Sequence, residues 1–241
     1  MKKKINLSLN CSKSIRRRRE IKYVVIHYTG MQSEIESIDR LKNTRSKVSC
    51  HYLINRKGLI TQLVMENKVA WHAGKSKWKK LNNLNSCSIG IELVNKGHQW
   101  GYENFSNLQI KTLINLCLNL KKKYKIKNEN FLGHSDIAPL RKLDPGEKFP
   151  WKKLSNFGIG TWYKKKIKNV KIQKGKRSDL FFKNLNKIGY RYFSLRKRTR
   201  KDKIVVKAFQ RRYNSHKVNG LIDQKTLNIS HFLANKQKLS L

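Results

Sequence analysis

The stretch "IKYVVIHYTG", Ile21–Gly30, decides how the rest of the chain is read. Val24, Val25 and Ile26 follow one another with no polar interruption, the pattern of a central strand buried on both faces of a sheet. His27 comes directly after the run, where a rigid strand end would aim its ring at a site. Working outward, Ser33–Lys42 has a helical pattern. "HYLINRKGLITQLV", His51–Val64, holds two strand-like runs joined by Asn55-Arg56-Lys57-Gly58, a hairpin signal. "CSIGIELVN", Cys87–Asn95, is another strand. A helix is expected from Ser106 to Lys122, because Ser106 and Gln109 have capping-box spacing. Its apolar face is Ile110, Leu113, Ile114, Cys117 and Leu120. Strands alternating with helices predict an α/β domain over 21–163, a central mixed β-sheet flanked by helices.

On either side of that domain the pattern changes. Residues 1–20 form a basic, non-periodic N-terminal arm ending in Arg16–Arg19. Residues 164–177, "KKKIKNVKIQKGKR", are charged and aperiodic, a linker. Beyond them, over 178–236, the pattern is purely helical and predicts a small all-α domain of three helices. Leu180, Phe181, Leu185 and Ile188 mark the first helix, stopped by Gly189. Val205, Ala208, Phe209 and Tyr213 mark the second, capped by Asp202. Asp223 caps the third after the Asn219-Gly220 turn.

The chain has 241 residues, 56 of them Lys or Arg against 14 Asp or Glu, for a formal net charge of +42. Such a field favours polyanions: nucleic acid, anionic lipid or an acidic cell wall. Charge alone does not choose among them. Lys, Asn and Ile are heavy throughout and only five alanines occur, the mark of a coding bias toward AT-rich codons. No helix-turn-helix, zinc-finger or RNA-binding motif accompanies the charge, so no specific nucleic-acid partner is expected. No apolar run reaches the ~18 residues of a transmembrane helix. The start, "MKKKINLSLNCSKS", has the basic front of a signal peptide, but its apolar run, Ile5–Leu9, is short and broken by Asn6 and Ser8. Cys11, Cys50, Cys87 and Cys117 lie at no zinc-ribbon or redox spacing.

The chemistry concentrates in "GHSDIAPLRKLDPGEKFPW", Gly133–Trp151, which holds all 3 prolines of the chain. Prolines fix backbone angles and so lower the entropy lost when a loop presents side chains. His134 opens the stretch and Asp144 lies ten residues on. With His27 they make two histidines and a carboxylate, a donor set that suits zinc and leaves one position for water.

The motifs "VVIHYTG", "SCHYLINRKGLITQLV", "VAWHAG", "SIGIELVN" and "GHSDIAPLRKLDPGEKFPW" occur in an order that resembles the zinc-dependent N-acetylmuramoyl-L-alanine amidases, the superfamily of the peptidoglycan recognition proteins. The resemblance spans roughly Ile21 to Trp162. The C-terminal part, "LFFKNLNKIGY" through "VVKAFQRRYNSHKVNGLIDQKTL", resembles the three-helix peptidoglycan-binding domain. The resemblance implies one zinc ion per chain held by His27, His134 and Asp144. It makes Glu92 and Lys142 the catalytic pair, and peptidoglycan or its muropeptide fragments the partner. Asp136 is the rival for the third ligand position; the motif favours Asp144 and leaves Asp136 to order the loop. Trp71 and His72 of "WHAG" are expected to line a substrate groove, the rival being a packed aromatic corner, and Arg141 to bind a stem-peptide carboxylate, the rival being a solvated side chain. His51 supports the sheet. The substrate argues for the cell envelope or periplasm, and the weak N-terminal signal argues for the cytoplasm; the first is favoured slightly. The competing reading is a non-catalytic peptidoglycan-binding protein, which a missing ligand would mark; all three ligands are present.

Overall fold

A computed structural model describes residues 3–173 and 175–236. Met1 and Lys2 of the N-terminal segment and Lys174 of the connecting stretch lie outside the described residues. The strands are β1 (Lys3–Ile5), β2 (Cys11–Ile15), β3 (Tyr23–Tyr28), β4 (Tyr52–Ile54), β5 (Ile60–Gln62), β6 (Lys68–Ala70), β7 (Lys77–Trp78), β8 (Leu81–Asn82), β9 (Ser88–Leu93) and β10 (Phe131–Gly133). The helices are α1 (Glu34–Lys42), α2 (Asn107–Tyr124), the short α3 (His134–Ile137) and α4 (Trp151–Ser155), then α5 (Arg177–Ile188), α6 (Asp202–Tyr213) and α7 (Gln224–Ala234).

Six strands form one mixed sheet in the order β1-β5-β4-β9-β3-β10. β4, β9, β3 and β10 run parallel, while β5 is antiparallel to β4. Val24, Val25 and Ile26 are fully buried, as a strand covered on both faces requires. Each side chain of that size is worth ~1.5–3 kcal/mol of burial. The hairpin between β4 and β5 forms at Asn55–Gly58. The Asn55 carboxamide oxygen accepts from the backbone N–H groups of Lys57 and Leu59, and Gly58 adopts φ +78°. A Cβ there would come within 2.8 Å of Thr112 Oγ1 on α2.

Alternation along β3 separates two layers. Val24 and Ile26 face α2 and pack with Ile110, Leu113, Cys117, Trp151 and Leu154. Tyr23 and Val25 face the other way, with Leu132 of β10, and join Phe181, Leu185, Val206, Phe209 and Leu227 of the C-terminal helices in one continuous apolar cluster. His27, next on that second face, therefore stands beyond the edge of this cluster.

Local signals set the helix ends. Ser106 Oγ accepts from the Gln109 backbone N–H, but the Gln109 carboxamide does not turn back to complete a capping box. It donates instead to the Ile54 and Val94 carbonyls, tying α2 to the sheet. Asp223 caps α7 through the Thr226 N–H. Asp202 differs from expectation: it is the first residue of α6 rather than its cap, and its carboxylate accepts from Thr199.

Residues 3–20, expected as a basic arm, pair with strands of the domain and bury an arginine against it. β1 pairs in parallel with β5, β2 pairs antiparallel with β6, and the Arg16 guanidinium is buried, donating to the carbonyls of Asn85, Ser86 and Ser88. An edge strand pairs through its backbone and tolerates exposed lysines, so side-chain periodicity does not reveal it. The stretch after Trp162 is likewise held to the bundle: Ile167, Val170 and Ile172 pack against the second cluster, and the Val170 N–H donates to Asn228.

Candidate metal centre and cleft

The site lies at the carboxyl ends of the parallel strands, where ligands gather in open α/β sheets. The register places His27 of β3 beside Glu92 of β9, so both side chains leave the same face. His134 follows directly on β10, the strand on the other side of β3, and Asp144 returns at the end of the loop that His134 begins. The Ser135 N–H donates to the Asp144 carbonyl at 2.8 Å, which closes this loop on itself. The Gly133 N–H donates to the Asp136 carboxylate at 2.8 Å. The two backbone N–H groups flanking His134 on either side are thus both engaged.

His27 Nδ1, His134 Nδ1 and an Asp144 oxygen form a triangle with edges of 2.9, 3.0 and 3.0 Å. All three residues are buried. The outer ring nitrogens settle what each atom offers. His27 Nε2 lies 3.1 Å from His72 Nδ1, and His72 Nε2 lies 3.2 Å from Ser88 Oγ, whose hydroxyl donates to the Leu84 carbonyl at 2.6 Å. Read back from that carbonyl, Ser88 accepts from His72 Nε2–H, and His72 Nδ1 accepts from His27 Nε2–H. His27 Nδ1 is then a bare lone pair. His134 Nε2 donates to the Ala73 carbonyl at 3.2 Å, which leaves its Nδ1 bare too. Arg141 Nη2 approaches the same ring nitrogen to 3.2 Å, but its hydrogen bond goes to the Ala73 carbonyl. Burial, and then the neighbouring His134, push His27 down to about 4, so it is neutral at physiological pH. Burial would raise the Asp144 carboxyl, but the two facing rings outweigh it and hold it well below the usual carboxylate range.

Three acceptors therefore converge on one point with no donor of their own to satisfy them. That fits a cation. A tetrahedral ion with bonds of ~2.0–2.1 Å asks for edges of ~3.3 Å, a few tenths of an ångström wider than the triangle shows. The hydrogen bonds behind the two rings are the kind that fix tautomer and orientation in metal sites. Gly90 makes room for this arrangement, because a Cβ there would lie 2.4 Å from the His72 ring.

The triangle opens into a cleft of about 650 Å³. Glu92, Lys142, Trp71, His72 and Arg141 all line it, together with Trp100. The Glu92 carboxyl is pushed up to about 8, chiefly by burial and then by Asp144, with Lys142 pulling the other way. One of its oxygens has no hydrogen-bond partner among the described residues. Among the described residues it has no ion-pair partner, and it lines the same cleft as the triangle. His72 touches the cleft, but its two ring nitrogens are spent on His27 and Ser88. Arg141 is half-committed: its guanidinium donates to the Ala73 and Lys75 carbonyls at the rim. His51 is fully buried and accepts from the Gly90 N–H, a sheet support.

Two groups at the site carry no sequence signal. His98, which lacks a motif around it, joins Tyr28 to Glu147 at the rim and stacks on Tyr102 with ring centroids 4.3 Å apart. Arg212, from α6, reaches Asp136 beneath the loop. The only hint of Arg212 in the sequence is a basic residue beside the apolar Phe209 and Tyr213, one cation among 56.

Comparison with known proteins agrees with this geometry. A family model described as N-acetylmuramoyl-L-alanine amidase matches residues 17–147. The Escherichia coli (strain K12) N-acetylmuramoyl-L-alanine amidase AmiD is 45% identical over 154 residues, covering 59% of this chain and 55% of that protein. The Haemophilus influenzae 1,6-anhydro-N-acetylmuramyl-L-alanine amidase AmpD is 42% identical over 108 residues, covering 44% and 56%. The chain thus spans just over half the length of the curated relatives it matches. The solved E. coli AmiD, in complex with anhydro-N-acetylmuramic acid-L-Ala-D-gamma-Glu-L-Lys, superposes with a TM-score of 0.78 at 34% identity, covering 93% of this chain and 92% of that one. AmpDh3 from Pseudomonas aeruginosa superposes with a TM-score of 0.77 at 28% identity, covering 94% of each chain.

Proposed function

The chain belongs to the N-acetylmuramoyl-L-alanine amidase family, and on that premise we propose that it hydrolyses the amide between N-acetylmuramic acid and the L-alanine of a peptidoglycan stem peptide, with one zinc ion held by His27, His134 and Asp144. The observation that carries the proposal is the triangle of bare acceptors beside a protonatable Glu92, one of whose oxygens has no hydrogen-bond partner among the described residues. Zinc, when bound, would polarise the scissile carbonyl and lower the pKa of a water.

The side chains supply the rest. Glu92 takes the proton of the attacking water and returns it to the departing alanine nitrogen, a shuttle that suits a carboxyl with a pKa near the working pH. Lys142, which lines the same cleft, supplies its ammonium where charge grows on the carbonyl oxygen. Trp71 gives the sugar or peptide an apolar wall, and Arg141 keeps one side of its guanidinium for a stem-peptide carboxylate. The C-terminal helices are proposed to hold peptidoglycan near the cleft. Likeness to an AmiD solved with an anhydro-muramyl peptide favours fragments of that kind as substrate.

The test is mass spectrometry of products from purified sacculi and from an anhydro-muropeptide, with and without chelator. Stem peptides beginning with L-alanine, lost on chelation and restored by zinc, are expected. A folded, zinc-loaded chain that binds either material and releases nothing would instead be a non-catalytic binding protein.

A further inference from the structure

Asp136 sits two residues after His134 and eight before Asp144, is 1% exposed and is held entirely by groups that are not metal ligands. Its Oδ1 accepts from the Tyr190 hydroxyl at 2.5 Å. Its Oδ2 accepts from the Gly133 N–H and from Arg212. Tyr190 and Arg212 both belong to the C-terminal region, 54 and 76 residues away in sequence. Arg212 is itself 4% exposed. It also donates to the Phe131 carbonyl of β10 at 3.0 Å and lies 3.8 Å over the Trp151 ring, at the far end of the proline-rich stretch. One side chain thus touches the strand before the metal loop, the carboxylate inside it and the helix after it.

Ile137 and Ala138 of the same loop pack into the apolar cluster shared with the C-terminal helices, but Asp136 is its buried charge. Gly133 contacts Pro145 closely, since a Cβ there would come within 2.7 Å of that ring. Any tilt of the Gly133–Asp136 turn is therefore passed to the Asp144-Pro145 corner as well as to His134. A buried carboxylate can fix such a turn only while its charge is balanced, and the cation paired with it is Arg212.

We propose that Arg212 is a positioning residue for the metal site: acting through Asp136, it sets the spacing of His134 and Asp144, so that the C-terminal helices form part of the machinery that holds the ion. This rests on the zinc reading given above. The alternative is that Arg212 contributes only to overall stability, or only as a nearby positive charge. These make different predictions. Loss of a positive charge beneath a cation site would tighten metal binding, whereas loss of positioning would weaken it.

The experiment is a chelator-competition measurement of zinc affinity on the full chain, for R212M, R212K and Y190F, with apo Tm measured alongside. F181A, a bundle-core change at a ring that packs edge-on against Phe182 and Phe209 and makes no hydrogen bond to Asp136, is the stability control. The expected result is a loss of about 10–100-fold in zinc affinity for R212M, the range typical of groups that orient ligands. R212K should recover part of it, Y190F should lose less, and F181A should lower Tm with unchanged affinity. Affinity unchanged or tightened in R212M, or lowered equally in F181A, would overturn the proposal. If R212M does not fold, R212K and Y190F decide by the same comparison. Wild-type chain that binds zinc without amidase activity would count against the proposed reaction while leaving this measurement intact; wild-type chain that binds no zinc would overturn both.

Discussion

Two aspartates of one loop, both buried on the same side of the sheet, are put to opposite use. Asp144 faces the Nδ1 atoms of two imidazoles and, among the described residues, pairs with no lysine or arginine, so its charge is available to an ion. Asp136 faces an arginine, a tyrosine hydroxyl and a backbone N–H, so its charge is consumed within the protein. The residue type and burial are the same; the neighbours alone differ. A buried carboxylate stripped of donors is a place for chemistry, and one saturated with donors is a fastening. The first belongs to the proposed metal centre, and the second joins that loop to the helical bundle.

The sharpest way to break this contrast is Asp144→Asn. Losing a ligand should cut amidase activity more than about a thousandfold, since a bound metal contributes several kcal/mol to the transition state. The apo chain should still fold, as near-wild-type circular dichroism would show. Asp136→Asn should do the reverse in kind. It strands the Arg212 charge in the interior, at a cost of ~3–5 kcal/mol, to be read as a large fall in apo Tm. Equal destabilisation by both changes would dissolve the distinction. Next in size, His72→Ala leaves His27 Nε2–H without its acceptor. Zinc affinity should fall about 10–100-fold in competition with a chelator.

The smallest effect concerns Glu92. Its folded carboxyl, pushed up to about 8, binds a proton that the unfolded chain releases near its ordinary value of 4.5. The folded state therefore holds the extra proton between those values, and stability is lost as pH rises through that window. Glu92→Gln should leave apo Tm unchanged near pH 4 and raise it by a few degrees at pH 9. No gain at pH 9 would mean that the carboxylate has a partner.

The parts of the molecule legible in the sequence are those whose cause is local. Val24–Ile26, the Asn55–Gly58 turn, the Ser106 cap and the Asp223 cap each follow from spacing over a few residues. His27, His134 and Asp144 converge as expected because the first ends a buried strand and the others bracket a loop joined to the neighbouring strand. The clamp on Asp136 was not legible in the same way. The sequence suggests that Asp136 orders the loop, but its side-chain partners, Tyr190 just after α5 and Arg212 on α6, lie far down the chain, and one more arginine in so basic a protein draws no notice. The edge strands β1 and β2 escaped for a related reason: they are held by backbone pairing, which leaves no pattern in exposed side chains. His72 shows the limit of motif reading. Its place in "WHAG" suggests a groove wall, and its ring nitrogens reveal that it also stands behind His27.

The central claim is that His27, His134 and Asp144 form one metal site. Calorimetric titration of the metal-free chain with zinc, wild type beside Asp144→Asn, tests it most directly. One ion per chain for the wild type, with affinity lost in the variant, is the predicted result. Undiminished affinity and stoichiometry in the variant would contradict it and move the ion elsewhere.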